Sequence, residues 1–443
     1  MGTMATAGTS LAPRLLLLTL WLAAGVAGCW ARDSPRPPIT PLDPDGRDEY
    51  TVTAGELLTK FGYPHERHRV VTEDGYILTM DRIPRPGSVP VLMVPPLFSA
   101  AVTYLVLGPG YAQALLLYDA GFDVWMTNLR GSVSSSRHER LSTADPRYWQ
   151  YSYHEHGVYD VTASVDTVLS RTGFKQLLYV GFSMGSASFL IMTSSRPEYN
   201  DKIMAAFLQA PVTALFYSEN NLIRIVRATA NFTEIDALLQ GIFRERGILA
   251  LPHRLIREVE IKVCVGELRV LCNFLYLYLS NSPRYMDYVV SSRSRIWNWE
   301  ADNYFFLRTL PVSGSLPTLW HFAQQSHAPD TFRPYHFNEE QSMRLYGTPV
   351  PPNYPLERIT APVYVYRANA DSFTVEKDYA YLQRNLRTMV KDFVHPDPLF
   401  SHFEFVFSRK SLIITQTIIN DMMNVLGSID PNYGPVMQQA TSN

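Results

Sequence analysis

Ser183, Asp371 and His402 follow one another in that order along a chain of 443 residues, and a hydroxyl, a carboxylate and an imidazole together can carry out acyl transfer. A serine hydroxyl is a weak nucleophile by itself. It needs a base within hydrogen-bond reach, a third group to orient that base, and N–H donors for the oxyanion that forms. Ser183 stands in Gly181-Phe182-Ser183-Met184-Gly185, after the apolar run Leu177-Leu178-Tyr179-Val180 and before small residues that let a helix start at once. G-x-S-x-G at a strand-to-helix corner is the nucleophile elbow, whose glycines let strand and helix close around a strained serine. The competing reading of such a serine is an ordinary turn residue, and the rest of the chain decides between them.

In that arrangement the acid and the histidine come later, each in a loop after a late strand. Asp371 comes shortly after Val363-Tyr364-Val365-Tyr366. His402 comes after Asp392-Phe393-Val394 and before the apolar stretch from Leu412 to Leu426. Asp378 and His395 are the local competitors, but Asp378 falls within a predicted helix and His395 sits directly against its strand, between Val394 and Pro396. A lone Asp or His is usually a turn cap or a satisfied surface group; three in the right order reverse that preference. One oxyanion donor is the backbone N–H of Met184, after the nucleophile. The other comes from the loop after an early strand, Pro95-Pro96-Leu97-Phe98, where the prolines have no N–H and Leu97 is the first donor available. The chemistry needs no metal and no organic cofactor. His154 and His156, alternating and without a third ligand, read as solvent-facing.

These residues need a frame. Arg69 to Thr72, the turn Glu73-Asp74-Gly75 and Tyr76 to Met80 read as an antiparallel hairpin. Strands at Val89 to Val94 and Phe122 to Met126 follow, with a helical pattern around Tyr111 to Tyr118 between them. A helix then carries Val161, Val165, Val168 and Leu169 on one face, ahead of the strand ending at Gly181, and Met204 to Leu208 is the next strand. Strands alternating with helices predict a mostly parallel sheet covered on both faces, with functional loops at its carboxyl edge. The alternation stops from about residue 213 to 355, a stretch rich in aromatics and Arg, and an inserted, mainly helical cap over that edge fits this interruption. Trp297-Asn298-Trp299 and Trp320-His321-Phe322 within it read equally as an acyl pocket, a lipid-settling surface or plain cap core.

From about residue 52 to 428 the chain resembles the acid lipases, the gastric lipase and lysosomal acid lipase group. The stretches that carry the likeness are "FGYPHERHRVVTEDGYIL", "GFDVWMTNLRG", "KQLLYVGFSMG", "ITAPVYVYRANAD" and "SHFEFVF". The resemblance implies an α/β-hydrolase fold, a cap over a hydrophobic pocket, and hydrolysis of acyl esters of triglyceride or sterol. It makes Ser183 the nucleophile, Asp371 the orienting acid, His402 the base, and Leu97 with Met184 the oxyanion donors. The family usually has His and Gln around the nucleophile, where this chain has Phe182 and Met184. It has His-Gly before the donor Leu, where this chain has Pro95-Pro96, and Asn before the acid, where it has Ala370. The expected function is a secreted serine esterase acting on lipid esters at a lipid–water interface. The alternatives are a catalytically impaired, lipid-binding or structural protein on the same scaffold, motivated by the loop prolines, and a non-lipid hydrolase such as a peptidase.

Composition agrees with an enzyme of this size. With 46% hydrophobic and 18% charged residues the chain can bury a large core, and a net charge of −2 offers no basic stripe for nucleic acid. Arg14, the apolar run Leu15 to Ala24 and small residues through Ala31 have the layout of a signal peptide, too short to favour a stable transmembrane anchor. An uncleaved anchor and, from Val26-Ala27-Gly28-Cys29, a bacterial lipoprotein site are the other readings. Secretory or lysosomal delivery follows. Disulfides are then permitted, and beyond the leader only Cys264 and Cys272 remain to pair, two free thiols being the alternative. Asn231-Phe232-Thr233 is a glycosylation acceptor. The expected organisation is a signal peptide at 1–31, an extended lead-in at 32–51, hydrolase core at 52–212 and 356–428, the cap at 213–355 and a tail at 429–443.

Overall fold

The fold is that of a computed structural model of the chain, in which residues 52–230, 314–336 and 338–429 are described. The chain divides into two units, Met1–Pro41 and Leu42–Asn443, and every described residue belongs to the second. The expected leader, the lead-in, Asn231, Cys264, Cys272, the Trp297-Asn298-Trp299 segment and the tail from 430 lie outside the described residues.

Helix α1 (Ala54–Phe61) opens on a capping box between Thr53 and Glu56 and stops at Gly62, whose left-handed backbone turns the chain. β1 (Glu66–Val71) and β2 (Tyr76–Ile83) then form the antiparallel hairpin. Next come β3 (Pro90–Val94), α2 (Gln113–Asp119), β4 (Asp123–Asn128), the two-residue β5 (Arg137–His138) and α3 (Thr162–Thr172). They are followed by β6 (Leu177–Phe182), α4 (Met184–Ser195) and β7 (Ile203–Gln209). Between β7 and β8 the described helices include α5 (Asn221–Ala230), α6 (Leu316–Gln325) and α7 (Glu339–Tyr346). Alternation resumes with β8 (Val363–Arg367), α8 (Glu376–Asn385), β9 (Met389–Val394) and α9 (Leu412–Ile429).

Among the described residues the nine strands make one sheet, in the order β1-β2-β4-β3-β6-β7-β8-β9, with β5 paired to β2. The ladders from β4 through β9 are parallel, and the antiparallel pairs are confined to the β2 edge. Because side chains alternate across a strand, the central strands feed two cores at once. Val91, Met93, Leu178, Val180, Ala205 and Phe207 face one layer, which α1, α2 and α9 complete with Leu58, Leu115 and Ile418. Leu92, Val94, Tyr179, Ala206 and Leu208 face the other, against Val165 of α3 and Leu190 of α4. β3 and β6 are buried along their whole length, which fixes the carboxyl ends of the strands that bear the site.

The helical face around Val165 is preceded by a π-helical turn, His156–Val161, that periodicity did not predict. It contradicts the reading of His156 as solvent-facing: residue 156 is buried in this turn, while His154 is half-buried and bonds through Nδ1 to the Tyr354 hydroxyl at 2.8 Å. The physical reason is packing that alternation does not encode: the ring lies against Tyr151, centroids 5.6 Å apart, and the adjacent Gly157 lets the turn press onto Ile191 of α4. In the Trp320-His321-Phe322 segment, His321 and Phe322 pack onto Tyr153, His321 face to face at 3.8 Å, so these two side chains are core.

Candidate active site

Ser183 sits between β6 and α4 with φ 55° and ψ −113°, a conformation that non-glycine residues avoid. The surroundings impose it. The Ser183 N–H donates to the Gln209 carbonyl at 2.9 Å, and the Ser183 carbonyl receives the N–H groups of Ser186 and Ala187 at 3.0 and 3.1 Å. The two glycines are required by close approach. A Cβ on Gly181 would stand 2.7 Å from the Ser186 nitrogen, and one on Gly185 would stand 2.1 Å from the Val94 carbonyl oxygen. The first turn of α4 therefore lies directly against the end of β3, where the Pro95-Pro96-Leu97 loop begins. Tyr179 and Tyr104 brace the junction by donating to the carbonyls of Gly185 at 2.7 Å and Val94 at 2.6 Å.

The loops after β8 and β9 bring two further groups to the serine. His402 Nε2 lies 2.8 Å from Ser183 Oγ, and His402 Nδ1 lies 2.7 Å from Asp371 Oδ2. All three side chains are buried. Asp371 is an acceptor whose oxygens are fully engaged: Oδ1 accepts the N–H groups of Phe373 and Thr374 at 2.8 and 3.1 Å, and Oδ2 accepts the Thr374 hydroxyl at 2.9 Å. A carboxylate only accepts, so Nδ1 of the imidazole donates to it and Nε2 is left to accept the serine proton. On the His402 side, Ser401 is pinned by Glu404 through its N–H at 2.7 Å and its hydroxyl at 3.0 Å.

The competing residues are committed elsewhere. Asp378 lies in α8 and accepts the Tyr217 N–H with both oxygens, at 3.0 and 3.1 Å; burial lifts its pKa to about 6. His395 stacks on Phe400 at 3.8 Å and accepts the Asp397 N–H on Nδ1 at 3.1 Å. Leu97 and Met184 line one small cavity beside the elbow.

Several contacts were not read from the sequence. Phe182, Phe373 and Phe403 surround the His402 ring, with centroids at 5.2, 4.6 and 5.7 Å. Thr374 was missed as well, although a Thr three residues after an Asp is a local pattern that signals such a bond.

Residues 54–101 match the partial alpha/beta-hydrolase lipase region, and residues 103–231 match the alpha/beta hydrolase fold. Lipase 1 of Drosophila melanogaster is 31% identical over 386 residues, covering 86% of this chain and 81% of the relative. The chain belongs to the acid lipase family. Other members align at similar length: Lipase 3 of Drosophila melanogaster is 31% identical over 81% of this chain and 89% of its own. Gastric triacylglycerol lipase of Homo sapiens is 27% identical over 86% of this chain and 92% of its own. The acid lipase α/β-hydrolase fold thus accounts for the mostly parallel sheet and for the elbow that grows out of it.

Proposed function

We propose that the chain is a serine ester hydrolase acting on lipid esters, with Ser183 as nucleophile, His402 as general base and Asp371 as the group that orients the imidazole. The observation that carries this reading is the continuous hydrogen-bonded line from Ser183 Oγ through His402 to Asp371, buried at the carboxyl edge of the sheet. His402 Nε2 takes the serine proton as Oγ attacks the ester carbonyl, and the imidazolium that forms is stabilised by Asp371. The backbone N–H groups of Leu97 and Met184 receive the oxyanion. His402 then returns its proton to the leaving alcohol, and the acyl group stays on Oγ. In the second half-reaction the same imidazole deprotonates a water as it attacks the acyl carbonyl, then returns that proton to Ser183 Oγ as the acyl–oxygen bond breaks and the fatty acid leaves. Each step conserves charge between one hydroxyl and one imidazole, so the residues present suffice.

The relatives named as lipases support a lipid ester as substrate. In the same reading residues 213–355 are the cap over the site, residues 1–31 are a cleaved signal peptide, and the protein is secreted or lysosomal. Cys264 and Cys272 are paired and Asn231 carries a glycan. No helix among the described residues is long and apolar enough to cross a membrane.

The test is covalent. An organophosphonate should modify Ser183 in proportion to the loss of hydrolysis of a triacylglycerol, and Ser183→Ala should remove both. A folded protein that binds lipid but leaves the serine unmodified would instead be a carrier on a lipase scaffold. Mass analysis of the secreted protein before and after glycosidase and reduction checks residue 231, the cysteine pair and the mature amino terminus.

A further inference from the structure

Between the loop that follows β3 and the elbow lies a cavity of about 20 Å³, with Leu97 and Phe98 of that loop, Met184 of the elbow, Ser132 and His156 on its wall. The Ser132 hydroxyl and both ring nitrogens of His156 are buried there with no hydrogen-bond partner among the described residues. Other polar groups around it are committed. Arg130 bonds to Asp74 and Asp160, the Ser99 hydroxyl pairs with that of Thr103, and the Ser315 hydroxyl donates to the Tyr151 carbonyl at 2.5 Å.

The local fold explains why an imidazole reaches this place. His156 begins the π-helical turn, and the next residue, Gly157, is pressed on α4 so closely that a Cβ would stand 2.6 Å from an Ile191 side-chain carbon and 3.0 Å from the Ser188 carbonyl. Such widened turns tend to mark functional positions. Burial, with the positive Arg130 nearby, keeps the ring neutral, so it offers one donor and one acceptor. Buried groups of this kind are costly when unpaired, and the space beside them is enough to admit one water-sized group.

We propose that the cavity is a hydroxyl-binding site, in which one O–H group bridges His156 and Ser132 by donating to one and accepting from the other. Held there, it supports the loop that carries Leu97, and His156 is a positioning residue for that loop. The hydroxyl has two possible sources with the same chemistry: a resident water, or a free hydroxyl on the alcohol side of the substrate, as in a partially acylated glycerol. What the site does rests on the reading of Ser183 as nucleophile; its existence does not.

The experiment pairs a high-resolution crystal structure of the full chain with kinetics on two esters of one acyl chain, a monoacylglycerol and a methyl ester. Density within hydrogen-bond distance of His156 and Ser132 is expected in the free wild-type protein for a resident water, and only in Ser183→Ala crystals holding the monoacylglycerol for a substrate hydroxyl. With a resident water, His156→Met lowers kcat about tenfold on both esters at unchanged KM. With a substrate hydroxyl, a loss of about the same size falls on the monoacylglycerol alone and is seen in KM. In either case His156→Gln, which keeps a donor and an acceptor, restores most of the rate, and Ser132→Ala supplies a milder second variant. A cavity that is dry both in the free protein and with the monoacylglycerol bound to Ser183→Ala overturns the proposal, and so does kcat/KM unchanged on both esters in His156→Met and Ser132→Ala. Failure of Ser183 as nucleophile would show in Ser183→Ala kinetics and leave the density readout intact.

Discussion

Thr374 holds the Asp371 carboxylate at both oxygens, its N–H on Oδ1 at 3.1 Å and its hydroxyl on Oδ2 at 2.9 Å, the same oxygen that receives His402. Thr374→Val keeps the shape and removes one donor. The carboxylate then has less to stop it rotating off the imidazole, and kcat should fall about tenfold at unchanged KM, because the lost interaction serves the transition state. Steady-state kinetics beside a thermal melt separates this from unfolding.

Gly185→Ala should be far more damaging to rate. The added Cβ meets the Val94 carbonyl at 2.1 Å and the Pro95 carbonyl at 3.0 Å, so the elbow and the Leu97 loop must move apart. Displacement of a donor by a fraction of an ångström to an ångström is worth up to about 100-fold in rate. A drop of about that size in kcat, in a protein whose circular dichroism is unchanged, is the expected result.

Arg130 is buried between Asp160 at 2.8 Å and Asp74 at 2.6 Å. Arg130→Met strands the fully buried Asp160 carboxylate and should lower stability by about 3–5 kcal/mol in urea titrations. Adding Asp160→Asn should recover part of the loss, since the uncompensated charge is then gone.

The stability of the fold should decline in acid through His321. Burial depresses its pKa from 6.5 to about 3, with His154 and Arg333 pushing the same way against the bond that Nε2 makes to the Arg333 carbonyl. Above pH 6.5 neither the folded nor the unfolded state binds this proton; between 6.5 and about 3 only the unfolded state does. The contribution is therefore complete above 6.5 and is lost as pH falls, by about 2 kcal/mol at pH 5. His321→Gln can still donate to the Arg333 carbonyl and does not titrate, so the difference in unfolding free energy between pH 7 and 5 should shrink by about that amount.

Much of this architecture is legible in the sequence because the strands announce themselves. The apolar runs ending at Val94, Gly181 and Leu208 are short and bounded by Gly or Pro, which reads as strands buried on both faces, and the elbow and late loops follow from where such runs stop. Asp378 and His395 could be set aside by position alone, and each has a partner of its own in the fold. What escapes a reading by periodicity is whatever depends on a change of helical pitch or on distant contacts. His156, within the π turn His156–Val161, is buried where alternation suggests exposure, and the stacking of His321 on Tyr153 joins residues that no local pattern links. The aromatic enclosure of His402 comes from three separate loops and strands, so its members look like unrelated core residues until the chain is folded.

β7 and β8 lie side by side, paired from Ala206 with Val363 to Gln209 with Tyr366, although everything from residue 210 to 362 runs between them. Their ladder has already brought the two ends together, so lengthening, shortening or rewriting the intervening residues adds little closure entropy to the frame. The junctions after β7 and before β8 are therefore natural seams for chimaeras with related lipases, in which the intervening stretch is exchanged while the sheet and the line from Ser183 through His402 to Asp371 are kept.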